Sequence, residues 1–133
     1  MLLADILESF VPRGWFLIIT PGTKFITVGG AIASDVHGKN HHADGCFSEC
    51  VLSFDLMLPD GSVVTCSREE NTTLFHATCG GMGLTGIILS AAIRLKQVKS
   101  AYIRESVIRC RNLKDIFSRF EEYKNITYSV AWI

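Results

Sequence analysis

Leu3, Ile6, Leu7 and Phe10 recur at helical spacing, which predicts a helix over residues 2–10. Pro12, Arg13 and Gly14 stop it ahead of a β-rich run from Trp15 to Thr20. From Pro21 to Gly45 the periodicity lapses, and five glycines (Gly22, Gly29, Gly30, Gly38 and Gly45) fall among polar residues and histidines. A loop of that length in a small domain is expected to be functional. Leu52, Phe54, Leu56 and Leu58 then alternate with Ser53, Asp55 and Met57; Pro59-Asp60-Gly61 supplies a turn and Val63–Cys66 the returning strand of a β-hairpin. Ser67-Arg68-Glu69-Glu70 has the spacing of a capping box, predicting a helix over 70–79 that ends at Gly80. After a glycine-rich stretch, the alternation of Ile87, Leu89, Ala91, Ile93 and Leu95 with Ser90, Arg94 and Lys96 predicts a strand. Residues 101–110 read as extended. Leu113, Ile116, Phe117, Phe120 and Tyr123 share a helical face behind an Asn112 cap, and Thr127–Ile133 reads as a last strand. The order of helices, hairpin and strands predicts an α+β fold with an antiparallel-rich sheet flanked by helices.

Composition narrows the function classes. The 133 residues are 48% hydrophobic and 20% charged, enough apolar surface to require a core and so to exclude disorder. Thirteen Lys and Arg balance thirteen Asp and Glu, leaving no basic excess to neutralise nucleic-acid phosphates. No apolar run approaches the ~20 residues of a membrane span, and the N-terminus lacks a basic signal pattern, so the expectation is a cytoplasmic chain. The five cysteines are odd in number and contain no C-x-x-C pair, which fits neither a disulfide framework nor a zinc ribbon. Trp132-Ile133 stops inside an apparent strand, predicting an internal fragment of a longer chain.

Three segments carry candidate chemistry. His37, His41, His42, Asp44, Cys46 and Cys50 are metal-ligating types, and a small metal-binding or interaction module is the alternative reading; only His37-x3-His41 has ligand spacing, so no metal site is assigned. Gly81-Met82-Gly83-Leu84-Thr85-Gly86 matches G-x-G-x-x-G, but a dinucleotide fingerprint needs a strand before it and a helix after it, whereas here a helix precedes and a strand follows. A tight helix-to-strand turn accounts for it locally. Thr27-Val28-Gly29-Gly30 followed by Ser34-Asp35-Val36-His37-Gly38-Lys39-Asn40 is more informative, because small residues clear space where backbone N–H groups meet an anion and Lys39 complements a phosphate or a hydroxyl.

Taken together, Pro21-Gly22-Thr23, Thr27 through His42 and Gly80 through Ile88 resemble the vanillyl-alcohol-oxidase type of FAD-linked oxidoreductase, with its PCMH-type FAD-binding domain. Within it, the nearest branch oxidises the 2′-carbon of a decaprenylphosphoryl ribose. The resemblance covers residues 15–96, two glycine-rich motifs in order with a hairpin between them. It implies the second α+β subdomain of an FAD-binding domain over residues 1–99 and the start of a substrate domain over 100–133. It implies FAD lined by Gly22, Thr27, Val28, Gly29, Gly30, Ser34, Asp35, Val36, His37, Gly83 and Ile88, mostly through backbone. Lys39 is implied on the substrate side of the flavin, where a cation holds a sugar hydroxyl or negative charge on the reduced ring. The implied partners are a sugar or polyprenyl-phosphate sugar, a lipid substrate that would bring the enzyme to a membrane, and the remainder of its own chain. Met82 departs from the branch, which tends to carry Asn there. The family's N-terminal pyrophosphate loop, covalent-flavin histidine and C-terminal substrate-domain residues have no counterpart in this sequence.

Overall fold

The computed structural model describes residues 1–133 and has the predicted mixed architecture. Helix α1 (Leu3–Phe10) buries Leu3, Ala4 and Ile6, and the Asp5 carboxylate accepts from the Leu2 N–H at 2.7 Å to tie down its first turn. A single 3-10 turn (Val11–Arg13) leads into β1 (Trp15–Leu17). The hairpin forms as β2 (Val51–Met57) and β3 (Val63–Ser67), joined by a turn in which the Asp60 carboxylate accepts from the Ser62 N–H and hydroxyl at 3.0 and 2.6 Å.

The run predicted as one strand from Ile87 to Leu95 divides in two. Strand β4 (Ile87–Ile93) pairs antiparallel with β2, giving a three-stranded sheet in the order β3-β2-β4. At Arg94 the ladder breaks, because its N–H donates to Cys50 O and its guanidinium to Glu49 O, each at 2.7 Å. Strand β5 (Leu95–Gln97) then crosses to pair with β1 in a separate two-stranded sheet. Register shifts between Val51 and Ser53 and between Asp55 and Leu56 leave Leu52 and Leu89 outside the ladder, and both side chains are exposed. On the same outer face, Thr65 and Ser90 hydroxyls donate to the Asp55 carboxylate at 2.9 and 2.6 Å, which holds its pKa below the ordinary carboxylate value, Ser90 contributing most.

The predicted loop from Pro21 to Gly45 is not a plain loop. It contains α2 (Val28–Ala33), α3 (His41–Asp44) and, just beyond, a 3-10 turn at Phe47–Cys50. Thr27 caps α2, its hydroxyl oxygen accepting from the Gly30 N–H at 3.0 Å. Two glycines are poor helix formers, yet they suit this helix. A Cβ built on Gly29 lies 4.0 Å from the Ile88 Cβ, so α2 lies close against β4. The capping-box spacing at Ser67 also resolves differently. The Ser67 hydroxyl accepts from the Glu69 and Glu70 N–H groups at 3.1 and 2.9 Å, but the chain turns again at Asn71, in the left-handed region, before α4 (Thr72–Thr78) begins.

The core joins these pieces through Leu3, Ile6, Leu17, Ile19, Ile32, Phe47, Phe54, Leu56 and Phe75, among others. Phe54 from the sheet and Phe75 from α4 stack with ring centroids 5.3 Å apart and planes 14° apart, both at most 1% exposed. The partly buried side chains packed against this core end at Leu95. Helix α5 (Leu113–Glu122) forms behind Asn112, whose side-chain oxygen accepts from the Asp115 N–H at 3.0 Å. Its apolar face is open, with Leu113 51% and Phe117 62% exposed. The strand predicted at 127–133 does not form, and residues 101–110, read as extended, join no sheet; alternation of apolar residues sets which face a strand buries, but no neighbouring strand hydrogen-bonds to either segment.

Truncating the stacked ring, Phe75→Ala, is expected to cost about 3–5 kcal/mol. A urea titration checks it as a lowered midpoint with an unchanged slope.

Candidate functional site

The two glycine-rich segments, far apart in sequence, are bonded to one another. A helix leaves its last carbonyls without donors, and here the second segment supplies them. The Gly80 N–H donates to Ile32 O at 3.0 Å and the Met82 N–H to Ala33 O at 2.8 Å, both at the C-terminal end of α2. Gly80 and Met82 reach this arrangement with φ of 77° and 53°. At the far end of the segment Gly86, with φ of 155°, runs so close to β2 that a Cβ there would lie 2.4 Å from Met57 O. Residues 80–86 are therefore clamped between the end of α2 and the sheet.

Beyond α2 the chain turns through Ser34 and Asp35, the latter with φ of 41°. The Asp35 carboxylate points inward, accepting from the Ser48 N–H at 2.8 Å and the Ser48 hydroxyl at 3.1 Å. The Phe47 N–H donates to Val36 O at 2.9 Å, and His37 bridges Cys46. The stretch 34–37 is thereby strapped to the 3-10 turn, with Ser34 and His37 exposed and Asp35 and Val36 half-buried.

The sequence-predicted residues thus divide by location. Thr27, Gly30, Ser34, His37, Lys39 and Gly83 are exposed, Val28, Gly29, Asp35, Val36 and Ile88 half-buried. Gly29 of α2 and Ile88 of β4 are brought into contact, whereas a Cβ at Gly83 would meet nothing within 4 Å. Gly22 lies on an open turn where a Cβ would meet nothing within 4 Å. Asp35 spends its carboxylate on Ser48 and its N–H on Ile32 O, at 3.0 Å. Lys39 is exposed, its Nζ 5.6 Å from the centre of the Trp132 ring, and its carbonyl accepts from the Ser129 N–H at 3.0 Å. Tyr128 accepts from Lys96 Nζ at 2.6 Å and has that ammonium over its ring.

The metal-module alternative finds no converging donors. His41 Nδ1 bonds Gly38 O at 3.2 Å and His42 Nε2 bonds Ile126 O at 3.0 Å, and no group of three His, Cys, Asp or Glu side chains gathers to hold an ion. The five cysteines are free. Burial pushes the Cys50 thiol up to about 11 and the Cys79 thiol up to about 11, from an ordinary 9.0. Reasoning from sequence placed Asn40 in the candidate segment but gave it no role, and missed Tyr128 and Trp132 as parts of this region. Asn40 lies in a polar run that gives no sign of burial, and the two aromatics lie in a segment read as a distant strand.

The arrangement defines a class first: an α+β domain presenting bare glycine backbone and small side chains around the end of one short helix, with a lysine-bearing turn further along the chain. Such a surface fits a flat, phosphorylated cofactor, because exposed Gly83 has no atom within 4 Å of a built Cβ and half-buried Val28 and Ile88 supply apolar contact. Residues 2–67 match the FAD binding domain family. A protein of Streptomyces coelicolor encoded in the mprA 5′ region is 41% identical over 112 residues, 84% of this chain and 30% of its own length. The decaprenylphosphoryl-β-D-ribose oxidase of Mycolicibacterium smegmatis is 38% identical over 133 residues, 98% of this chain and 29% of its own. The human Δ(24)-sterol reductase is 33% identical over 107 residues, 80% and 20% respectively. The chain belongs to the FAD-binding domain family matched over residues 2–67, and its cofactor is FAD. It spans 20–30% of the length of these relatives. No helix is long and apolar enough to cross a membrane.

The raised thiols give a prediction with a definite sign. Between pH 9 and 11 the unfolded chain releases protons that the folded chain retains, so stability falls over that window. Urea midpoints measured from pH 8 to 11 should decline, and Cys50→Ser together with Cys79→Ser should flatten the decline.

Proposed function

We propose that residues 1–99 are the C-terminal part of the FAD-binding domain, and 100–133 the start of the substrate domain, of an FAD-dependent oxidoreductase that oxidises an alcohol carbon of a sugar, carried on a polyprenyl phosphate. The observation that carries this reading is the bonding of Gly80 and Met82 to the end of α2, which assembles both glycine-rich segments into one surface. The core supports the division, since its packed side chains end at Leu95.

On this reading Gly22, Thr27–Gly30, Ser34–His37, Gly83 and Ile88 hold the cofactor, chiefly through backbone and through the apolar sides of Val28 and Ile88. The flavin, when bound, supplies the hydride-accepting ring. Lys39 supplies a cation on the substrate side. No carboxylate pairs with it, so its charge is available to a substrate hydroxyl or to negative charge that develops during transfer. The similarity to a decaprenylphosphoryl-ribose oxidase supports the lipid-linked sugar, while the similarity to a sterol reductase supports only the redox class.

Lys39→Ala in the full-length protein is expected to lower turnover about a hundredfold with bound flavin unchanged. Flavin absorbance and steady-state rates on a polyprenyl-phosphate pentose measure both quantities, and an unaltered rate removes Lys39 from the role. Titrating the 133-residue chain with FAD, with riboflavin as the control lacking adenine and phosphates, should give saturable quenching of flavin fluorescence for FAD only.

A further inference from the structure

The loop that carries Lys39 is held by a side chain with no place in the reading so far. Asn40 is wholly buried, and its Nδ2 donates to Ile18 O at 2.7 Å and to the Asp44 carboxylate at 2.6 Å. Both partners are acceptors, so the amide has one possible orientation: turned over, its oxygen would face two oxygens. In that orientation Oδ1 is buried without a hydrogen-bond partner. A buried acceptor left unmet is unfavourable, and native proteins keep few of them. Any apolar replacement would remove that burden, but would also release the loop from Ile18.

The neighbouring backbone is fixed to match. Gly38 is buried against the chain beyond β1, where a Cβ would lie 2.4 Å from Thr20 O and 2.7 Å from Asn40 Oδ1. Asn40 O accepts from the Ala43 and Asp44 N–H groups at 3.0 and 2.9 Å, tying Asp44 to Asn40 a second time. Lys39 therefore has an immobilised residue on each side, while its own side chain is exposed.

We propose that Asn40 is a positioning residue for Lys39: by clamping the loop to Ile18 and Asp44 it sets where the lysine ammonium stands, without touching substrate itself. This inference rests on the reading of Lys39 as the substrate-side cation. Misplacing a charge by about 1 Å is enough to cost up to a hundredfold in rate. The clamp therefore acts on kcat and leaves flavin binding, which uses other residues, as it is.

The test is a double-mutant cycle in the full-length, flavin-loaded enzyme. Asn40→Ala should lower kcat by about tenfold or more, with KM, flavin content and the flavin absorption spectrum little changed. The variant carrying both Asn40→Ala and Lys39→Ala should be no slower than Lys39→Ala alone, because a residue acting through another loses its effect when the other is gone. If Asn40→Ala does not fold, Asp44→Ala removes one of the two clamping bonds and serves the same cycle, with a smaller loss in the same direction. Losses that multiply in the double variant, or that come with lost flavin, overturn the proposal. Normal turnover in Asn40→Ala beside a slow Lys39→Ala overturns the clamp alone, and normal turnover in Lys39→Ala overturns both the clamp and the reading it rests on.

Discussion

The carbonyls at the end of α2 are the point on which the arrangement turns. A six-residue helix can satisfy few of its own carbonyls, and Gly80 and Met82 meet this need from a segment nearly fifty residues further along. That pairing sets the spacing between the helix and the sheet, with the Cβ position of Gly29 at contact distance, 4.0 Å, from the Ile88 Cβ. It also requires left-handed backbone at Gly80 and Met82, a conformation that glycine supplies at the first position and that methionine adopts at the second.

How legible this was differs by element, and the differences have physical causes. Elements whose signals are local could be read directly: α1 from its periodicity, the β2–β3 hairpin from alternation around Pro59-Asp60-Gly61, and α5 from the Asn112 cap. Helix α2 was hidden because Gly29 and Gly30 argue against a helix, and what stabilises it there, a close approach to β4, is a long-range contact that propensity does not register. The break at Arg94 was hidden for a similar reason, since its partners are carbonyls of the 3-10 turn, 44 and 45 residues away. The segments 101–110 and 127–133 have strand-like sequences without a ladder, which shows that alternation specifies a face and not a partner. Of the candidate site, the two motifs could be read as motifs, but their direct bonding could not. Nor could the inward turn of the Asp35 carboxylate to Ser48, which looks from sequence like one more polar group lining a loop.

The contacts of the C-terminal segment fall on the Lys39 loop and on β5. Ser129 bonds Lys39 O, Ile126 O bonds His42, Tyr128 bonds Lys96, and the Trp132 ring lies near Lys39 Nζ. Three polar contacts and one ring–cation approach form a narrow seam with little buried apolar area, and regions of that kind open at low free energy while cores stay closed. The amide hydrogen of Ser129 is thus a built-in gauge. Its exchange with solvent deuterium reports how often the seam parts and the lysine loop loses its outer support, independently of whether any reaction takes place.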